Sequence, residues 1–462
     1  MAEAYKLDPT ILREYDIRGI VGDTLKETDA YAVGRSFGTI VARKGGKKVV
    51  VGYDGRTSSP ILASALIEGL NACGLDVVRI GVGPTPMVYY ASVVLDADAG
   101  IAITGSHNPP EYNGIKIVID NKPFFGADIT SLGTIAASGD FAEGSGGLTD
   151  QDVMEDYINR LVRDFVPGKE LNIAWDAGNG SAGEAMVRLT KKLPGKHTLL
   201  FEDIDGTFPN HHPDPTVEKN LADLKVAVKE NGCDLGIGFD GDGDRIGVVD
   251  AQGRVLWGDQ ILLVLASDVL KDVPGAKIIA DVKASQVFFD EVNRLGGEAI
   301  MGCTGHSLVK KLMAETGAPL GGEMSGHIFF KHKWYGFDCA LYAAVRLLSI
   351  LAHSDETLAD IRDKMPKLIN TPELRFDCDE DRKFTVIDEV KERLAKVSGI
   401  DVFDIDGVRV KSDDGWWLLR ASNTQAVLVA RCEASTDAGL ERLKTQLVDQ
   451  LVASGVEPPA FD

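Results

Sequence analysis

Three short apolar runs along the chain each end near an aspartate: VVVGYDGR at 49–56, LNIAWDAGNG at 171–180 and AKIIADVKAS at 276–285. Each predicts a buried strand entering a polar loop, as in a parallel sheet. A helical pattern follows, for example ILASALIEGLNACG at 61–74, with Gly74 as its expected C-cap. A second turn comes next: GVGPTP (81–86), DGTFPN (205–210) and CTGHSL (303–308). Each segment then reaches a glycine-rich loop: ITGSHNP (103–109), FDGDGDR (239–245) and GGEMSGH (321–327). Spacing varies, but the order strand, helix, turn, strand, loop recurs, which predicts a diverged βα repeat.

The tail follows another rule. ELRFDCDE is strand-like, and 381–397 has a helical period through Phe384, Ile387, Val390, Leu394 and Val397. VRVKSDDGWWLLRA predicts a hairpin turning at Asp414-Gly415, QAVLVARCEA another strand, and GLERLKTQLVDQLVAS a final amphipathic helix. The expected fold class is therefore α/β: three related α/β units over 1–150, 151–254 and 255–367, then an α+β domain over 368–462. A length of 462 residues suits several domains of about 150 residues each.

Composition changes this picture in one respect. Forty-nine basic against seventy acidic residues leave a formal charge of −21. Such a surface repels nucleic acid and anionic lipid, so neither is an expected partner. An anionic substrate would need a local cluster of positive groups. The start has no basic segment before an apolar run, and the apolar stretch Ile261–Leu270 is broken by Asp268. Six scattered cysteines include no CxxC pair, which disfavours a zinc knuckle and suits a reducing compartment; a cytoplasmic location is expected. With no obvious exposed apolar helix face, a monomer is expected.

Asp240, Asp242 and Asp244 alternate with Gly241 and Gly243. Three carboxylates so close repel one another unless a cation sits among them. An EF-hand is excluded, because its sixth position would be Arg245 and its twelfth Ala251. Open coordination positions suit Mg²⁺ bridging to phosphate, with Arg245 gripping a phosphoryl oxygen. A solvated acidic turn is the alternative. GIGFDG (236–241) matches a dinucleotide fingerprint, yet GDRIGVV after it predicts a strand where that motif needs a helix; it is rejected.

Ser106 lies in a tight turn after an apolar strand, with His107 beside it and Lys116 following. A serine hydroxyl needs a base or a metal to become a nucleophile, and no GxSxG elbow is present. Taken alone, a simple turn residue is the commoner case. Glu323, Ser325 and His327 share one loop: a carboxylate and a hydroxyl at that spacing can clasp vicinal sugar hydroxyls, and His327 can trade a proton near neutral pH. RASNT (420–424) offers Arg420, Ser422, Asn423 and Thr424 as a phosphate cradle, and the chain has no Walker A motif. A structural loop and a polar hairpin end are the respective alternatives. Arg18 in YDIRG, Lys116, Arg245, Lys283, His306, His327 and Arg420 form the positive cluster that the charge balance demands.

Together TGSHNP, DGDGDR, GEMSGH and RASNT, in that order and one per domain, resemble the α-D-phosphohexomutase superfamily, and within it the bacterial phosphomannomutase/phosphoglucomutase branch. The resemblance covers essentially the whole chain, including YDIRG and HHPDPT (211–216). It implies four domains around a central cleft, a phosphoserine at Ser106, and Mg²⁺ held by Ser106, Asp240, Asp242 and Asp244. It implies that Glu323 and Ser325 bind the sugar's O3 and O4, and that Arg420, Ser422, Asn423 and Thr424 hold the phosphate that is not reacting. Lys116 and His327 become the proton-transfer candidates, supported by Arg18, His306 and His107, while Tyr15, Arg245, Lys283 and Gly305 join the substrate contacts. Glucose or mannose 1,6-bisphosphate is the implied intermediate and activator. Relatives often continue the phosphate loop with Glu-Pro, where this chain has Gln425-Ala426. Gly243 and Met324 favour the mannose/glucose branch over the glucosamine one. A Mg²⁺-dependent sugar phosphatase and a non-catalytic sugar-phosphate binder are the rival functions.

Overall fold

The computed structural model describes residues 3–423 and 425–461. Its first three sheets repeat one four-strand plan. In the first, Asp76–Val82, Lys48–Tyr53 and Ala99–Ile103 run parallel and Tyr112–Ile119 returns antiparallel. The second repeats this with Lys196–Leu200, Asn172–Asp176, Leu235–Phe239 and Ile246–Asp250. The third does so with Glu298–Gly302, Lys277–Asp281, Leu320–Gly322 and Ile328–Phe330. Each glycine-rich loop sits at the same place, where the last parallel strand reverses into its antiparallel neighbour. Equivalent loops on equivalent sheets explain why the motif order recurs although the spacing does not.

Additions at the edges distinguish the units. Ile17–Ile20 pairs with Tyr112–Ile119 and brings Arg18 into the first sheet. Val255–Leu256 pairs with Ile246–Asp250, so the second sheet runs past the crossing expected after Arg254. Leu235–Phe239 is followed by a strand and not a helix, which removes the dinucleotide reading of GIGFDG.

The fourth sheet is antiparallel, built on Val408–Ser412, Gly415–Ala421 and Val427–Ala434. Ser412 pairs with Gly415, so the hairpin turns at Asp413-Asp414, one residue before the expected place. Thr436 caps the helix Asp437–Ala453 by accepting from Gly439 N. Leu440, Leu443, Leu447 and Leu451 recur at helical spacing on its buried face, each contributing about 1.5–3 kcal/mol. The helix Glu380–Leu394 buries Ile387, Val390 and Leu394 but leaves Phe384 half-exposed; Val397, beyond its end, is also exposed. The sequence period over-counts its apolar face because those two side chains have no layer above them.

One continuous apolar core joins the first three units, from Val50 and Tyr89 through Trp175 and Phe239 to Leu262 and Tyr342. It fixes their three loops relative to one another. The fourth domain has a separate core. It is rooted on the third by Arg409, whose Nη1 donates to Val282 O (2.7 Å) and Ala284 O (2.8 Å) and whose guanidinium stacks 3.7 Å from the Trp416 ring. Arg431 adds a bond to Lys283 O (2.6 Å), and Gln286 N donates to Glu433 (2.9 Å). Among the described residues no helix is long and apolar enough to cross a membrane; Ile261–Leu270 lies inside the helix Gly258–Asp272 and packs into the shared core.

Candidate active site

Ser106 is buried in a left-handed backbone conformation, φ 51°, which a non-glycine residue adopts only when its surroundings enforce it. Its N–H donates to Thr104 Oγ1 (2.8 Å), and its hydroxyl donates to Asp240 Oδ2 (3.1 Å) and lies 3.2 Å from His107 Nδ1. The first and second loops therefore meet at the serine oxygen. Gly241 permits the approach: a Cβ there would stand 2.3 Å from Ser106 O. Gly241→Ala is expected to keep its fold but to separate the two loops, lowering kcat by about 100-fold; steady-state kinetics beside a thermal melt checks this.

The three aspartates are all buried, and a ligand atom from each lies within 4.8 Å of the others. Gly243, at φ 71°, lets the loop curl so that they converge. Lys116 Nζ donates to Asp242 Oδ2 (2.7 Å) and Asp244 Oδ2 (2.6 Å), and Thr85 Oγ1 to Asp242 Oδ2 (2.6 Å). Asp242 Oδ1 and Asp244 Oδ1 are buried with no hydrogen-bond donor. Burial and then the neighbouring Asp244 and Asp242 push the Asp240 carboxyl well above the usual range. Burial acts the same way on Asp242, but Lys116 and Thr85 outweigh it and hold that group down. Lys116, disfavoured by burial, is held firmly as an ammonium by Asp242 and Asp244. Three carboxylates against one ammonium, with two oxygens left without donors, fit a hard divalent cation.

Arg245 Nε donates to His327 Nε2 (2.9 Å), tying the second loop to the third. An Nε2 that accepts places a neutral imidazole's proton on Nδ1. Nδ1 faces Asp338 Oδ2 at 3.0 Å and Asp244 Oδ1 at 3.5 Å. Asp338 in turn pairs with Lys310 (3.1 Å). His306 lies tilted against His327, ring centres 5.7 Å apart. Burial and then Lys310 keep it neutral, and burial and then Arg245 do the same for His107. Arg18 donates to Gly105 O (3.0 Å) and Asn108 Oδ1 (2.8 Å) and pairs with Asp16, so it braces the serine loop.

Glu323 is buried and accepts from Gly305 N (2.6 Å); Ser325 lies half-buried on the same loop. Asp281 accepts from Met324 N (3.1 Å), and burial, eased by Lys283, lifts its carboxyl to about 6. The Tyr15 hydroxyl donates to Thr304 O (2.9 Å) and accepts from Asn423 Nδ2 (2.7 Å), so it touches the third and fourth domains at once. Arg420 is buried against Asp406 (3.0 Å). Ser422 is buried, and Lys383 Nζ supports the loop from behind through Ser422 O (2.7 Å) and Gln425 O (3.0 Å). In place of the Glu-Pro expected in relatives, Gln425 Oε1 accepts from Arg375 (3.0 Å). Thr424 lies outside the described residues.

Lys283 is placed differently from a free phosphate-binding cation: its Nζ pairs with Glu373 of the fourth domain at 3.1 Å. Burial alone would raise Glu373, but Lys283 and Arg375 bring it down to about 2. A carboxylate depressed from about 4.5 to about 2 stabilises the native state fully above pH ~4.5 and loses that contribution as pH falls toward 2. Glu373→Gln is thus expected to lower stability at neutral pH and to flatten the acid limb between those values, read by denaturant titration at stepped pH.

Four residues of the site were not among those singled out from the sequence. Asp338 and Lys310 reach the centre from distant segments, and their single letters carry no local pattern, while Thr85 sits in the GVGPTP segment, which reads in sequence only as a turn. Arg56, behind the serine loop, had one faint signal, the Asp-Gly-Arg ending the first apolar run.

Four family models for phosphoglucomutase/phosphomannomutase match in sequence: alpha/beta/alpha domain I over 9–142, domain II over 155–253, domain III over 257–368 and the C-terminal domain over 373–450. A phosphomannomutase/phosphoglucomutase of Pseudomonas aeruginosa is 44% identical over 452 residues, covering 98% of this chain and 97% of that protein. A phosphoglucomutase of Neisseria meningitidis is 43% identical over 439 residues, covering 94% and 95%. A crystal structure of a phosphoglucomutase/phosphomannomutase family protein from Burkholderia thailandensis superposes with a TM-score of 0.93 at 43% identity, covering 98% of this chain and all of that one. With every domain matched in order and a relative 44% identical over nearly the whole chain, the chain belongs to the phosphoglucomutase/phosphomannomutase family.

Proposed function

We propose that this protein interconverts hexose 1-phosphates and hexose 6-phosphates of mannose and glucose, through a phosphoserine at Ser106 and a 1,6-bisphosphate. The observation that carries the reading is the meeting of the Ser106 hydroxyl with Asp240, beside two donorless oxygens of Asp242 and Asp244. Asp240, Asp242 and Asp244, with an oxygen on Ser106, would hold Mg²⁺, which when bound offsets the charge of the transferring phosphoryl group.

The chain's own groups do the rest. The phosphorus–oxygen bond at Ser106 breaks as one forms to the free sugar hydroxyl, whose proton passes to His327 Nε2 as Arg245 turns from it to the phosphoryl group. The Lys116 ammonium is the candidate to give the leaving serine oxygen a proton. Arg245 spreads the phosphoryl charge. Glu323 and Ser325 grip two sugar hydroxyls, with Gly305, Tyr15 and Lys283 shaping that wall, and Arg420, Ser422, Asn423 and Thr424 hold the second phosphate. Arg18, His107 and His306 support the serine and the proton-transfer groups. The bisphosphate then turns, and its other phosphate returns to Ser106. Burial of the reacting groups keeps water from competing for the phosphoryl group. The protein is read as a cytoplasmic monomer acting on small sugar phosphates, without nucleic acid or membrane. Purified protein with Mg²⁺ and mannose 1-phosphate or glucose 1-phosphate should yield the 6-phosphate and no inorganic phosphate. Phosphate released in step with turnover would make it a phosphatase, and no conversion with either sugar would overturn the reading.

A further inference from the structure

Arg56 ends the run that begins the first sheet, and it is 2% exposed. All five of its N–H groups have acceptors. Nε donates to Asp54 (3.1 Å), Nη1 to Pro109 O (2.6 Å) and Tyr112 O (3.0 Å), and Nη2 to Ser106 O (2.9 Å) and Asn108 O (2.6 Å). Asp54 also accepts from Gly105 N (3.0 Å). One aspartate–arginine pair therefore holds the serine loop through an amide and four carbonyls. Gly105 makes room, since a Cβ there would stand 2.4 Å from the guanidinium carbon.

The second domain closes over the same group. The Phe208 ring lies 5.0 Å from the guanidinium carbon, and a Cβ on Gly206 would stand 2.4 Å from Arg56 Cα. Gly241 N donates to Pro213 O (3.1 Å), so the neighbouring HHPDPT segment holds the metal loop. The segments DGTFPN and HHPDPT thus seat the serine loop and the aspartate loop against each other.

We infer that Arg56, oriented by Asp54, is a positioning residue for phosphoryl transfer: by gathering four loop carbonyls on one planar fork it holds Ser106 in its left-handed conformation with the hydroxyl on Asp240. The inference rests on the phosphoserine reading above. A lysine has three donors on one tetrahedral nitrogen and cannot reproduce a five-donor fork. Misplacing the serine oxygen by an ångström costs turnover and leaves the sugar and distal-phosphate contacts intact.

The test compares the full-length wild type with Arg56→Ala, Arg56→Lys and Asp54→Asn, using glucose 1-phosphate with Mg²⁺ and the bisphosphate. Arg56→Ala should lose about 100-fold in kcat, and Arg56→Lys about tenfold, with KM changed by less than about threefold. Millimolar guanidinium should restore about tenfold of the activity of Arg56→Ala, where equal sodium chloride does not; a loop that had simply unravelled would not respond. Wild-type kcat in Arg56→Lys, a loss confined to KM, or a folded Arg56→Ala indifferent to guanidinium overturns the inference. Should Arg56→Ala not fold, Arg56→Lys and Asp54→Asn decide it, wild-type kcat in both being fatal. An inactive wild type would instead remove the proposed function and this inference with it.

Discussion

Ser106→Ala is expected to abolish interconversion of mannose 1- and 6-phosphate, lowering kcat by about 10⁴-fold or more. The serine oxygen is the group that carries the phosphoryl in the proposed cycle, and no neighbour duplicates it. His107, 3.2 Å away, is kept neutral by burial and by the cations around it, and its ring nitrogen already engages the hydroxyl. Alanine removes one oxygen from a buried site and frees Asp240 of one donor, so the fold should survive. Intact-mass measurement of the wild type should find a species heavier by one phosphoryl group that the variant lacks. A variant that interconverts the two sugars at the wild-type rate would refute the phosphoserine.

Asp240→Asn separates the chemistry of the aspartate cluster from its cost to the fold. The cluster sets three buried carboxylates against Lys116, and Asp240 is the one that burial and its two neighbours drive toward the protonated form. A neutral amide retains an oxygen for the Asp244 and Arg245 amides, which Asp240 Oδ1 accepts at 3.1 Å each, and removes the repulsion. In metal-free buffer the variant should melt no lower than the wild type. Magnesium should raise the wild-type melting temperature and leave the variant's unchanged, because ligand stabilisation needs the site. Activity should fall about 10³-fold. A variant that still gains stability from magnesium would place the metal elsewhere.

The parts of the site visible in the sequence are those carried by consecutive residues. Asp240, Asp242 and Asp244 alternate with glycine because a curled loop requires it. The three glycine-rich loops look alike because each occupies the same reversal of the same sheet plan. Partners supplied from far away leave no such trace. Asp338 faces His327 from a segment whose letters, FDCA, mark nothing. Lys283 reads as a phosphate-binding cation until Glu373 arrives from the fourth domain beside it. Helix periodicity misleads in the same manner: Phe384 keeps the apolar spacing of 381–397 but lies where no second layer covers it. Local chemistry can be read from the chain, whereas the choice of partner waits for the packing.

Tyr15 stands where the first domain meets the third and the fourth. Among the described residues, the hydrogen bond joining the first and fourth domains is the one from Asn423 to that phenol. Water can take either side of it, so parting the two costs about 1 kcal/mol net. At its other end the fourth domain is pinned by Arg409 and Arg431, whose buried guanidiniums could not leave their carbonyls without stranding charge. The third domain also grips the fourth beside Tyr15, where Thr304 N donates to Asp406 (3.0 Å). When the first and fourth domains part, the fourth should therefore move as one body on the third while the rest of the molecule stays whole.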